Sequence, residues 1–182
     1  HWYAPQFNFP LLEPVSIQSI YDTVRRAFDI SEQVQTPVLV FVPGRLAYQT
    51  TVIQRKAAQH HTSKYHFNKD PETLINVGAR AVRNHRQHIE RIQHYATQPT
   101  PVITDFNARA TVGIITRGAT YAVVHEVIRD LQLHERVHLL NIEQTYPLSS
   151  DAIIDFATNK TSLTVIEDQD GFLETMLKRE AF

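Results

Sequence analysis

The sequence predicts an α/β protein that ends in a small parallel sheet made of three strand–helix units. Two observations carry that prediction. Residues 111–182 alternate short β-branched runs, "TVGIIT" (111–116), "VHLLNI" (137–142) and "SLTVIE" (162–167), with helical patterns. Three such units within about 70 residues imply parallel strands joined by right-handed crossovers. Further upstream, "VLVFV" (38–42) is a continuous apolar run of strand length. A strand without alternation points to burial on both faces, as in a parallel sheet.

The chain opens with an extended, proline-broken stretch, "HWYAPQFNFPLLEPV". Ser16 then suits a helix N-cap, followed by Ile17, Ile20, Tyr21, Val24, Ala27 and Phe28 at helical spacing. Pro37 precedes the 38–42 strand, and "PGR" (43–45) closes it in a turn. Residues 48–69 are polar and histidine-rich, without a clean period. From Pro71 to Tyr95 a charged helix is expected, with Leu74, Ile75, Val77, Val82, Ile89 and Ile92 as its apolar points. "ATQPTPVITDFNARAT" (96–111), with two prolines and no period, reads as a linker.

In the last segment, Val124, Val127, Ile128 and Leu131 mark one face of a helix over 119–132. Ser150 caps a helix carrying Ile153, Ile154, Phe156 and Ala157, and the final helix turns Phe172, Leu173, Met176 and Leu177 inward.

Composition narrows the function classes. With 18 basic and 19 acidic residues the formal charge is -1, which argues against nucleic acid as the main partner. No apolar run approaches the roughly 18 residues of a membrane span, and the N-terminus lacks the pattern of a signal peptide. Zero cysteines exclude disulfides, thiolate metal sites and a cysteine nucleophile within the chain. That is compatible with a reducing cytoplasm, the compartment expected here.

Several motifs carry candidate chemistry. In "ITRGATY" a strand runs through Gly118 into a helix, where free backbone N–H groups and Arg117 are candidates to hold an anion such as a CoA phosphate. A single glycine serves equally as a packing turn, which is the better-supported reading. His60, His61 and His66 share one polar stretch, and His85 and His88 lie three apart on the charged helix near Glu90. No HExxH pattern accompanies them, so no metal site is assigned, and a solvated partner-facing helix explains them better. "EDQD" (167–170) is a polar turn at a strand's C-terminal end, with Asp170 opening the last helix. Neither a GxSxG elbow nor an SxxK motif occurs, and no catalytic residue is assigned.

Residues 11–48, "LLEPVSIQSIYDTVRRAFDISEQVQTPVLVFVPGRLAY", resemble the end of the pyrimidine-binding domain of thiamine diphosphate-dependent 2-oxoacid:ferredoxin oxidoreductases. The nearest branch is the large subunit of the indolepyruvate enzymes. The resemblance continues through "NVGARAVRNHRQHIERI" (76–92), "VGIITRGATYAVVHEVI", "LLNIEQTYPLSSDAIIDFA" and "LTVIEDQDGFLETML", in matching order. It implies three parts: 1–48, the terminal portion of a pyrimidine-binding-like α/β domain; 49–110, a polar segment, long helix and linker; and 111–182, a transketolase C-terminal-like α/β domain.

It also implies oxidative decarboxylation of an aryl-2-oxoacid to an acyl-CoA, with electrons passed to ferredoxin. Arg45 stands at the family's arginine turn, as a candidate contact to substrate. Thiamine diphosphate, magnesium and iron–sulfur clusters are implied for the intact enzyme. Their motifs fall in other parts of the family's length, so this chain is expected to hold none of them alone and to be inactive by itself. The expected partners are other subunits or domains of the same oligomeric oxidoreductase, with the chain either a fragment or one subunit of a split enzyme. A truncated interaction subunit and a small anion- or CoA-binding domain are the alternatives.

Overall fold

The computed structural model describes residues 1–57 and 69–180. A short helix, α1 (Tyr3–Phe7), leads to strand β1 (Leu11–Leu12) and then to helix α2 (Ile17–Val34). Ser16 caps α2 as expected: its side chain accepts from the Ser19 amide at 3.1 Å, and Ser19 Oγ accepts from the Ser16 amide at 2.9 Å. This reciprocal pair satisfies two helix-end donors. The buried positions of α2 are Thr23, Ile30 and Val34, while Val24 and Phe28, expected inward, are exposed. Helical spacing allows two neighbouring apolar stripes, and contact with Leu12, Ile92 and Tyr95 selects the one through Ile30 and Val34.

Strand β2 (Leu39–Val40) pairs parallel with β1, and helix α3 (Gly44–Ala47) follows. The 38–42 run therefore forms a short, half-buried edge strand rather than one buried on both faces. His60, His61 and His66 lie outside the described residues. The long helix expected over 71–95 is two helices, α4 (Pro71–Leu74), capped by Asp70, and α5 (Ala79–Ala96). They are separated where Ile75 turns extended and Gly78 takes φ +58°, and Leu74, Ile75 and Val77 stay exposed.

The remaining elements are β3 (Val102–Phe106), β4 (Val112–Arg117), α6 (Thr120–Asp130), β5 (Val137–Ile142), β6 (Gln144–Tyr146), α7 (Ser150–Ala157), β7 (Ser162–Ile166) and α8 (Phe172–Glu180). The C-terminal sheet has the order β3-β5-β4-β7. Strands β4, β5 and β7 are parallel, which agrees with the three strand–helix units read from the sequence. The linker reading of 96–111 is corrected by β3, which pairs antiparallel with β5 from Val102↔Ile142 to Phe106↔His138. Pro99 and Pro101, which suggested a loop, both precede the strand, where no ladder donor is required of them.

A second sheet, β2-β1-β6, ties the first residues to the end of β5, because β6 pairs with β1. One core cluster accordingly joins Ala4 and Leu11 to Leu140, Ile142, Ile153, Phe156 and the four inward residues of α8. Val124 and Ile128 of α6 pack under β5, whereas Val127 and Leu131, expected on the same face, are exposed. No described helix is long and apolar enough to cross a membrane.

Candidate functional site

Strand β4 ends at Arg117, whose side chain is only 3% exposed. Its guanidinium is directed into the protein. Nη1 donates to Glu13 Oε2 at 2.6 Å and lies 2.7 Å from His1 Nε2. Nε donates to Glu167 Oε2 at 2.8 Å, and Nη2 donates to the Asp168 carbonyl at 2.6 Å. The Phe172 ring sits 5.9 Å beneath the guanidinium. A planar, permanently charged fork is suited to bridging carboxylates from separate elements.

Glu13, between β1 and α2, is the counterpart. Its Oε1 accepts from Thr145 Oγ1 at 2.8 Å, and its amide donates to the Glu143 carbonyl at 2.7 Å. Burial pushes the Glu13 carboxyl above its ordinary range, and the Arg117 charge and the Thr145 hydroxyl oppose that rise. Glu167 does two jobs: besides Arg117, it accepts from the amides of Leu173 at 2.8 Å and Glu174 at 3.0 Å, capping α8. In the polar turn where Asp170 was placed near the start of the last helix, it is Glu167 that accepts from the free amides.

Gly118 follows with φ +49°. A Cβ there would stand 3.1 Å from Glu13 Cβ, so both the backbone conformation and the close approach require glycine. The cavity against this turn, lined by Glu13, Arg117, Gly118 and Thr120 among others, holds about 40 Å³. That is room for about one water.

Arg45 is placed elsewhere, on α3, at an open groove of about 660 Å³. The groove runs between the start of α2, residues 49–52 and the first turns of α6, with Ser16, Leu46, Val52, Ala122 and Glu126 in its walls. Ala119 borders both the groove and the small cavity. The Arg45 side chain is exposed and has no hydrogen-bond or ion-pair partner among the described residues. The structure therefore separates the two arginines read from the sequence: Arg117 is spent internally, and Arg45 faces open space.

His85 is exposed, and His88 Nε2 lies 3.2 Å from the Phe7 carbonyl. Among the described residues no group of three His, Cys, Asp or Glu side chains is arranged to hold a metal. With no cysteine in the sequence, the donors present do not fit an iron–sulfur cluster, and no chemical step is derived through a cofactor on this chain.

No family model matches the chain. Curated relatives do. The indolepyruvate oxidoreductase subunit IorA of Archaeoglobus fulgidus is 27% identical over 177 residues, covering 95% of this chain and 28% of that protein. The same subunit of Methanothermobacter marburgensis is 26% identical over 176 residues, 94% of this chain and 28% of that protein. That of Thermococcus kodakarensis is 25% identical over 188 residues, 99% and 29% respectively. Over nearly its whole length the chain is similar to members of the 2-oxoacid:ferredoxin oxidoreductase family.

It spans a little over a quarter of the length of these curated family members. Among solved structures, a 2-oxoglutarate:ferredoxin oxidoreductase from Magnetococcus marinus, with 2-oxoglutarate, coenzyme A and succinyl-CoA bound, matches with a TM-score of 0.69. The identity is 18%, covering 94% of this chain and 37% of that one. A split-gene transketolase, an inactive β4 tetramer, matches with a TM-score of 0.52 at 11% identity, over 95% of this chain and 45% of that one. These two speak to the fold, which is mixed α/β with a parallel sheet like the transketolase C-terminal domain.

Glu13, in the "LLEPV" stretch, is a site residue that no local motif singles out. The available signal was a carboxylate among apolar residues just ahead of a capped helix.

Proposed function

We propose that this chain is a supporting, non-catalytic portion or subunit of a thiamine diphosphate-dependent, indolepyruvate-type 2-oxoacid:ferredoxin oxidoreductase. In that reading the intact enzyme forms an acyl-CoA by oxidative decarboxylation and passes electrons to ferredoxin. The observation that carries the reading is the match of 94–99% of the chain to a little over a quarter of the IorA subunits. The chain's own contribution is mechanical: the Glu13–Arg117–Glu167 array fastens the N-terminal strands to the C-terminal sheet and to α8.

Thiamine diphosphate, magnesium and the iron–sulfur clusters would be held by other parts of the enzyme, in the cytoplasm. The division at residues 48 and 110 into a pyrimidine-domain end, a connecting segment and a transketolase C-terminal-like domain belongs to the same proposal. Arg45 is the residue proposed to meet a substrate carboxylate, on the strength of its free guanidinium beside a roomy groove. An anion at the Arg117–Gly118 turn is the lesser proposal, since the guanidinium is already engaged.

Native mass spectrometry of the protein purified from its source tests the reading. Co-purification with cysteine-bearing chains and thiamine diphosphate, or their presence in one longer polypeptide, is the expected result. A lone 20.9 kDa species or its homodimer would overturn it.

A further inference from the structure

A second cluster of polar side chains lies away from the Arg117 array, where the end of β3 meets α6. Tyr121, His125 and Arg129 are spaced by four residues and so form one stripe along α6. Asp105 of β3 faces that stripe. Its Oδ1 accepts from the Phe106 amide at 2.7 Å, and its Oδ2 accepts from the Tyr121 hydroxyl at 3.2 Å and pairs with His125 Nε2 at 3.0 Å.

Phe106 takes φ +67°, and its ring stacks on the His125 imidazole at 4.9 Å. Tyr121 closes the other contact to the same ring, at 5.6 Å. The imidazole of His125 is thus fixed by a carboxylate through Nε2 and by two aromatic rings, which leaves Nδ1 as its remaining polar atom. A surface histidine on a merely solvated helix face has no such set of constraints.

An open pocket of about 460 Å³ lies here, lined by Asp105, Phe106, His125, Arg129 and His134. Arg129 and His134 are exposed and have no side-chain partner among the described residues. The only carboxylate in the pocket wall, Asp105, already accepts from three donors, so the unused hydrogen-bonding capacity comes from a guanidinium and two imidazoles. A guanidinium and imidazole nitrogens lining one pocket are the groups that pair with the oxygens of a tetrahedral anion.

We propose that the pocket between the end of β3 and α6 binds a small oxyanion, phosphate or a phosphomonoester, with Arg129 and His134 as donors and His125 as the positioned third contact. The proposal does not depend on the oxidoreductase reading. No residue of the Arg45 groove or the Arg117 array takes part in it.

The test is calorimetric titration of inorganic phosphate into the purified protein. Saturable binding is expected. R129Q removes one charge-assisted donor and weakens that binding about ten-fold or more. H134N weakens it as well, and R109Q, which changes an exposed arginine outside the pocket, leaves it unaltered. Because Arg129 and His134 are exposed and unpaired, neither variant endangers folding. Absence of saturable binding, equal affinity in R129Q and wild type, or an equal loss in R109Q would each overturn the proposal.

Discussion

Replacing Arg117 with methionine removes the one cation between two buried carboxylates. Glu13 and Glu167 have side chains 4% and 6% exposed, so neither regains solvent when its partner is lost. Breaking a buried pair from one side costs about 3–5 kcal/mol, because the remaining charge stays desolvated. For a protein of this size each kcal/mol lowers Tm by about 2–4 °C, so R117M is expected to unfold roughly 6–20 °C below wild type at pH 8.

The loss should depend on pH. Burial raises the folded pKa of Glu13 above 4.5, its ordinary value, so the group's contribution to stability is complete below that pH and declines as pH rises through the raised value. Without Arg117 the carboxyl is pushed higher still, and the decline extends further up the scale. The deficit of R117M relative to wild type should therefore be smaller at pH 5 than at pH 8.

Differential scanning calorimetry at the two pH values measures this. The emission of Trp2, the sequence's only tryptophan, reports the site locally, because its ring stands edge-on to Phe172 at 5.2 Å. A drop below about 2 °C at pH 8, or equal drops at both pH values, would refute the assignment of Arg117 as the clamp between the sheets.

Three further predictions concern single residues. G118A forces an L side chain to φ +49° against Glu13, which costs about 1–2 kcal/mol in backbone terms alone and should lower Tm by roughly 2–8 °C; an unchanged Tm would contradict the tight turn. S16A removes the side-chain cap of α2 and should cost about 1 kcal/mol in urea denaturation, and S19A, which removes the reciprocal bond, should cost part of the same energy rather than add to it. The Tyr121 hydroxyl is held up to about 12 by burial and by Asp105 beside it, so D105N should bring its ionisation, followed by absorbance at alkaline pH, down toward the usual value of about 10. An unmoved titration in D105N would mean that burial alone sets it.

What the sequence revealed and what it hid divide along the range of the interaction. Ser16 as a cap, the three parallel strands and the inward set Phe172, Leu173, Met176 and Leu177 all follow from patterns a few residues long, and the structure has each of them. The inward face of α2 did not follow, because Val24 and Phe28 compete with Ile30 and Val34 until a neighbour decides between them. Strand β3 was hidden by the prolines in front of it, and the break at Ile75–Gly78 by an apolar spacing that continues through it. The Arg117 array was out of reach altogether. Its carboxylates lie 104 and 50 residues away along the chain, and no local period encodes such a meeting.

The join between β5 and β6 has a mechanical consequence. Residues 137–146 run through both sheets with only Glu143 between the two strands, and the Glu143 carbonyl is itself bonded by the Glu13 amide. A hinge needs a few backbone positions free to change their dihedral angles. The crossing at Glu143 offers one residue, pinned at its carbonyl. The connection between the two sheets therefore offers little freedom to hinge, and the strands on either side of Glu143 are expected to move together.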